Sequence, residues 1–318
     1  MKKFLFLCLA SAGLLSACSS DSESLEVIDE GTVSVRFYLE LQPDVVPFGT
    51  RVMPGGLPAE PSVVEEPPVS EPEEPIEEPA ESMFSCLEYV VFDQDDRIIK
   101  HQQLKSEEGN TTEMMVADEF SPGVYQICFL AHSTSGVQLE GNNLTFPGQV
   151  SECFYFFDSF EVEIGNDIER SFALERVVSR VEFVSKDDVP DTITSFKVET
   201  SGIYKTFDLL NGYAAKETSA FTLTHVFTDD DREPGNAPVH AFYTFVPQGE
   251  ENTLTKATLQ ALDAEEEPVR EKEITDIPIY PNRITRYSGI LYTNATDASF
   301  NLVINTDWGE AIEEDIKD

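Results

Sequence analysis

Between Thr32 and Leu41 the chain places Val33, Val35, Phe37, Leu39 and Leu41 at every second position, with Ser34, Arg36, Tyr38 and Glu40 between them. A period of two puts the apolar side chains on one face of a strand and the polar ones on the other, which suits a half-buried antiparallel sheet. A helix would scatter the same residues around its circumference. Similar runs recur along the chain. They fall at Met83–Phe92, Val124–Leu130, Cys153–Ile164 and Phe172–Val184, then at 195–200, 204–210, 221–227, 239–246, 253–262, 274–279, 284–292 and 299–305. Gly, Pro, Asn or Asp bounds most of them. Asp93-Gln94-Asp95-Asp96 predicts a hairpin turn and Pro122-Gly123 another. No stretch of ten or more residues carries a capped 3.6-residue period, so the expected fold class is all-β, with two tandem β-sandwiches. Residues 31–170 are expected to form the first sandwich and 171–318 the second, the latter opening on one long strand from Phe172 to Val184 that leaves room for a bulge.

One segment breaks the pattern. Residues 54–82 hold eight prolines and nine glutamates with no Lys or Arg. Proline removes backbone donors and neighbouring carboxylates repel, so this stretch is expected to be an extended, disordered insertion within the first sandwich.

The amino terminus carries an export address. Lys2 and Lys3 precede an apolar run from Phe4 to Leu15, and Leu15, Ser16 and Ala17 lead into Cys18. Residues 1–17 read as a secretory signal, too short to span a bilayer. Leu15-Ser16-Ala17-Cys18 resembles the bacterial lipobox. Leu15, Ser16 and Ala17 would be the signal-peptidase recognition residues, and the thiol of Cys18 the nucleophile that accepts a diacylglyceryl group. An ordinary signal with an incidental cysteine is the plainer alternative. Residues 18–30 then form a polar, acidic tether.

Composition excludes more than it names. The formal charge of −39 leaves no basic footprint for phosphates, so a nucleic-acid partner is not expected. Beyond Cys8 and Cys18 the cysteines are Cys86, Cys128 and Cys153, an odd number. Cys86 and Cys128 lie in apolar runs and read equally well as buried thiols or as one disulfide. With no C-x-x-C, and with His101, His132, His225 and His240 scattered singly, no metal or cofactor is expected. Nucleophile elbows, metalloprotease helices and phosphate loops are also missing, so the chain does not read as an enzyme.

Taken together, several stretches resemble the fimbrillin and fimbrial-anchor lipoproteins of Bacteroidales surface pili. They are the lipobox with its acidic follow-on, Tyr89-Val90-Val91-Phe92-Asp93, Pro122-Gly123-Val124-Tyr125, Leu174-Glu175-Arg176-Val177-Val178-Ser179-Arg180-Val181-Glu182-Phe183 and Asn282-Arg283-Ile284-Thr285-Arg286-Tyr287-Ser288-Gly289. The insertion at 54–82 departs from that pattern. The resemblance implies transthyretin-like sandwiches, outer-membrane and cell-surface location through lipid, and partnership with other fimbrial subunits by strand complementation. It also implies that Arg51, in the loop Phe48-Gly49-Thr50-Arg51-Val52, would be the proteolytic processing site if this were a shaft subunit. The end of the chain, Thr306 to Asp318, lacks the alternation a donated strand needs, which favours a terminal anchor. Asp191-Thr192-Ile193 resembles an O-glycosylation triplet, making Thr192 the acceptor. The alternative reading is a carbohydrate-binding surface lipoprotein of a nutrient-uptake system, with Trp308 and exposed tyrosines as stacking platforms.

Overall fold

A computed structural model describes residues 31–41, 84–105, 113–165, 167–215, 217–249, 252–293, 300–307 and 310–316, the last two stretches by backbone alone. The signal segment, Cys18, the tether, Arg51, the 54–82 insertion and Trp308 lie outside these residues.

The first half supplies β1 (Val33–Leu41), β2 (Cys86–Phe92), β3 (Ile98–Lys105), β4 (Glu113–Phe120), β5 (Gly123–His132), the short β6 (Gln138–Glu140) and β7 (Asn143–Thr145), β8 (Phe154–Val162) and β9 (Ile168–Arg176). Seven of them form one sheet in the order β3-β2-β5-β8-β9-β1-β4. The sheet folds over on itself, because β8 and β9 pair only at Phe154 with Arg176 and Tyr155 with Glu175. The layers β3-β2-β5-β8 and β9-β1-β4 thus face each other across a core that includes Phe37, Leu39, Tyr89, Phe129, Phe160 and Leu174. The expected turn after Phe92 is present: the Asp93 carboxylate accepts hydrogen bonds from the amides of Asp95 and Arg97, and Asp96 takes a positive φ of 60°.

The second half supplies β10 (Val178–Ser185), β11 (Ser195–Ile203), β12 (Thr206–Asp208), β13 (Tyr213–Ala214), β14 (Ser219–Val226), β15 (Val239–Phe245), β16 (Thr253–Leu262), β17 (Pro268–Pro278), β18 (Arg283–Gly289), β19 (Phe300–Asp307) and β20 (Glu310–Ile316). It repeats the topology of the first. β10 pairs antiparallel with β15 and parallel with β18, as β1 does with β4 and β9. The sheet β14-β11-β16-β17 corresponds to β3-β2-β5-β8. Phe183, Phe196, Phe242, Leu259, Ile277 and Tyr287 fill the core between the layers. β19 and β20 have no counterpart among the described residues of the first half; they extend the β10 sheet beyond β18.

Two results differ from the sequence-based expectation. The run from Phe172 to Val184 is two strands, β9 in the first sandwich and β10 in the second, separated at Val177. Residues Ser171–Arg176, expected to open the second sandwich, instead complete the first, Ser171–Leu174 pairing with β1 and Glu175–Arg176 with β8. The pattern reads through the break because partly buried Val177 packs against the third core beside buried Val178, so strand-like residues continue across it. The other difference is a four-stranded sheet, β13-β12-β7-β6, that combines segments of both halves. Beside it lies a third core of Val90, Phe92, Cys128, Leu130, Phe146, Val150, Val178, Phe207 and Phe245, joining the two sandwiches. Among the described residues no helix is long and apolar enough to cross a membrane.

Candidate functional site

The feature with most functional content is the position of β1. This strand is the first among the described residues, yet it is the middle member of its layer, bonded to β4 on one side and β9 on the other. Its five alternate side chains, Val33 to Leu41, are all buried. Phe37 is the centre of the packing: its ring lies 6.1 Å from Tyr89, 6.4 Å from Phe120, 5.5 Å from Phe129, 5.6 Å from Phe160 and 6.0 Å from Phe172. Removing β1 would leave two unpaired backbone edges and an apolar groove lined by aromatic rings, the requirements for accepting a strand.

A second strand-sized position lies beside β9. In the second sandwich the matching edge, on β18, is covered by the antiparallel β19. In the first, β9 pairs on that side with β8 at two positions only. Half-buried Phe156 and Phe172 stack there, ring centroids 4.2 Å apart.

Of the residues singled out from sequence, Thr192 is exposed in the turn between β10 and β11, while neighbouring Ile193 is fully buried. Arg232 donates to the carbonyls of Pro190 and Ile193, at 2.7 and 2.8 Å, and steadies that turn. Cys86, Cys128 and Cys153 are all free thiols. Burial pushes the Cys128 and Cys153 thiols well above their ordinary value, so neither is a ready nucleophile. Tyr38 and Tyr213 are the most exposed tyrosines and sit on β1 and β13, in separate sheets.

The histidines looked isolated in sequence, and the fold brings them together two by two, His101 with His132 on strands flanking β2 and His225 with His240 on strands of facing sheets. His101 and His132 both place Nε2 against the carboxylate of buried Glu88, at 2.6 and 3.2 Å, and Gln103 donates to it at 2.6 Å. Burial pushes the Glu88 carboxyl up, but the bonds from His132, His101 and Gln103 outweigh it and hold the group below its usual value. On the second sandwich His225 meets Asp231 at 3.2 Å and lies near His240, which bonds Tyr292 Oη at 2.9 Å and stacks on Phe196. Burial, with His225 adding to it, lowers the His240 pKa to about 3, so this imidazole is neutral. No group of three or more side chains suited to a metal ion occurs among the described residues.

The fold and its strand slots define an all-β protein of two tandem sandwiches with the same topology. Residues 135–317 match the family described as a family of unknown function, DUF6562, and the chain belongs to that family. No curated protein matches it in sequence. Solved structures of similar shape include the fimbrial anchor protein Mfa2 from Porphyromonas gingivalis, 11% identical over 89% of this chain and 99% of that one, with a TM-score of 0.45. The tip fimbrial protein Mfa3 from the same organism is 10% identical over 87% and 100%, at 0.45. A fimbrial assembly protein from Parabacteroides distasonis is 10% identical over 90% and 99%, also at 0.45. Likeness at this level carries no function across.

Proposed function

We propose that the chain is a non-catalytic, lipid-anchored protein of the outer cell surface that serves as the anchor or a minor structural subunit of a pilus and joins other subunits by strand complementation. The observation that carries this reading is the burial of β1, the strand that follows the lipobox cysteine, in the middle of a sandwich layer. With lipid retained on Cys18, β1 ties the membrane to the folded body; acyl chains held at about 0.8 kcal/mol per buried methylene make such an anchor durable. With the chain cut after Arg51, β1 and the lipid would leave together and open the groove. Thr192 offers an exposed hydroxyl for O-glycosylation.

Intact-mass analysis of the protein extracted from cells tests these alternatives. A chain beginning at Cys18 with added acyl mass supports the anchor, and a chain beginning at Val52 identifies a processed shaft subunit. A chain beginning at Cys18 without acyl mass, or saturable binding of a defined sugar on a glycan array, overturns the proposal. In the Cys18→Ala variant the membrane-bound fraction is expected to fall to background. Loss of a glycan mass in Thr192→Ala checks that site separately.

A further inference from the structure

We propose that β1, β9 and β10 form a mechanical clamp, a load path that carries tension from the membrane tether into the second sandwich. The idea rests on the lipid-anchor reading for the source of the load, and on strand geometry for everything else. β1 and β9 are parallel neighbours, with Val35 to Leu41 registered against Ile168 to Leu174 in seven successive pairs. The tether leaves β1 at its Val33 end. The chain leaves β9 at the opposite end of the shared register, passes Val177 and enters β10, the strand bonded to both β15 and β18 in the second sandwich. Tension between the tether and the second sandwich therefore pulls β1 and β9 in opposite directions along their common axis.

Such a load falls on every ladder bond between the strands at once, and none can break alone. Pulling two strands apart from adjacent ends instead opens the bonds one after another, each under the full load. Forced unfolding follows the height of the unfolding barrier, so the first geometry resists far more than the second. Side chains add to the ladder. For β1 to slip by one pleat repeat, about 6.8 Å, Phe37 must leave its place among the five surrounding rings. On the outer face Arg36 bonds Glu169 at 3.2 Å across the same pair of strands. β4 backs β1 from the other side through eight further pairs.

The same strand offers both loading geometries, which gives a direct test. Because Val33 pairs with Phe120, the turn after β4 lies beside the start of β1. Force spectroscopy on the full mature chain, with a handle in place of the lipid at residue 18, would use a second handle at Asp191, just beyond β10, or at Ser121, in the turn after β4. Both residues are exposed. The Asp191 geometry shears β1 against β9, and the Ser121 geometry unzips β1 from β4. At equal loading rate the shear geometry is expected to rupture at several-fold higher force, in a step lengthening the chain by about 500 Å as residues 33–176 unravel. Equal forces in the two geometries, or a first step in the second sandwich at or below the unzipping force, overturn the clamp. The handle replaces the acyl chain, so this result is independent of whether Cys18 is acylated, which intact mass decides.

Discussion

At the residue scale, two side chains make sharp predictions. Phe37 is fully buried and touches rings from β2, β4, β5, β8 and β9, so its loss leaves a cavity that no single neighbour can fill. Phe37→Ala is expected to cost about 3–5 kcal/mol, read as a lower midpoint in urea denaturation. His240 makes stability depend on pH. Its folded pKa near 3 lies below the ordinary 6.5, so between those values the unfolded chain binds a proton that the folded chain refuses. Its effect is nil above pH 6.5, and stability then falls with pH by up to about 1.4 kcal/mol per unit. The carboxylates Glu88 and Asp187 act lower: their pKa values are depressed from 4.5 and 3.8, so the stability they confer is present above those values and lost as pH falls below them. Denaturation midpoints compared at pH 7 and pH 5 should converge in His240→Gln and stay apart in the natural chain.

At the scale of elements, Asp187 shows how a single carboxylate organises a crossing between strands. Just after β10, it accepts hydrogen bonds from the amides of Leu291, Tyr292 and Thr293 and from the hydroxyls of Ser185 and Thr293. Burial pushes its pKa up and these donors more than reverse it, which keeps the group ionised. Asp187→Ala orphans those amides, each unmet bond costing about 1–3 kcal/mol where it stays buried. Hydrogen exchange at residues 291–293 should speed up while β11 to β17 retain their protection. The turns were legible for a similar reason: an Asx turn at Asp93 and a Pro-Gly pair at 122 are written in residues adjacent along the chain. The split at Val177 was not legible, because the strands on either side differ only in their distant partners. Equally, the pairing of His101 with His132 depends on β3 and β5 both flanking β2, which no local pattern encodes.

At the scale of the whole molecule, the third core packs buried side chains from both sandwiches against one another. Phe245 touches Phe146 and Phe207 there, with ring centroids 5.1 and 4.9 Å apart, and Arg176 of β9 donates to Asn282 ahead of β18 at 3.0 Å. A single calorimetric transition is expected for the natural chain. Phe245→Ala, with a cost of about 3–5 kcal/mol falling on the shared core, should resolve it into two. By itself the sequence determined the strand-rich class, the turn at Asp93 and the buried face of a strand such as β1, because alternation and turn chemistry are local and act through neighbouring residues. Only the tertiary structure decided that β9 belongs with β1, that both sandwiches share one topology, and that segments from both halves build a common sheet. Strand order is set by which apolar faces and backbone edges meet across long stretches of chain, and many orders satisfy the same local pattern.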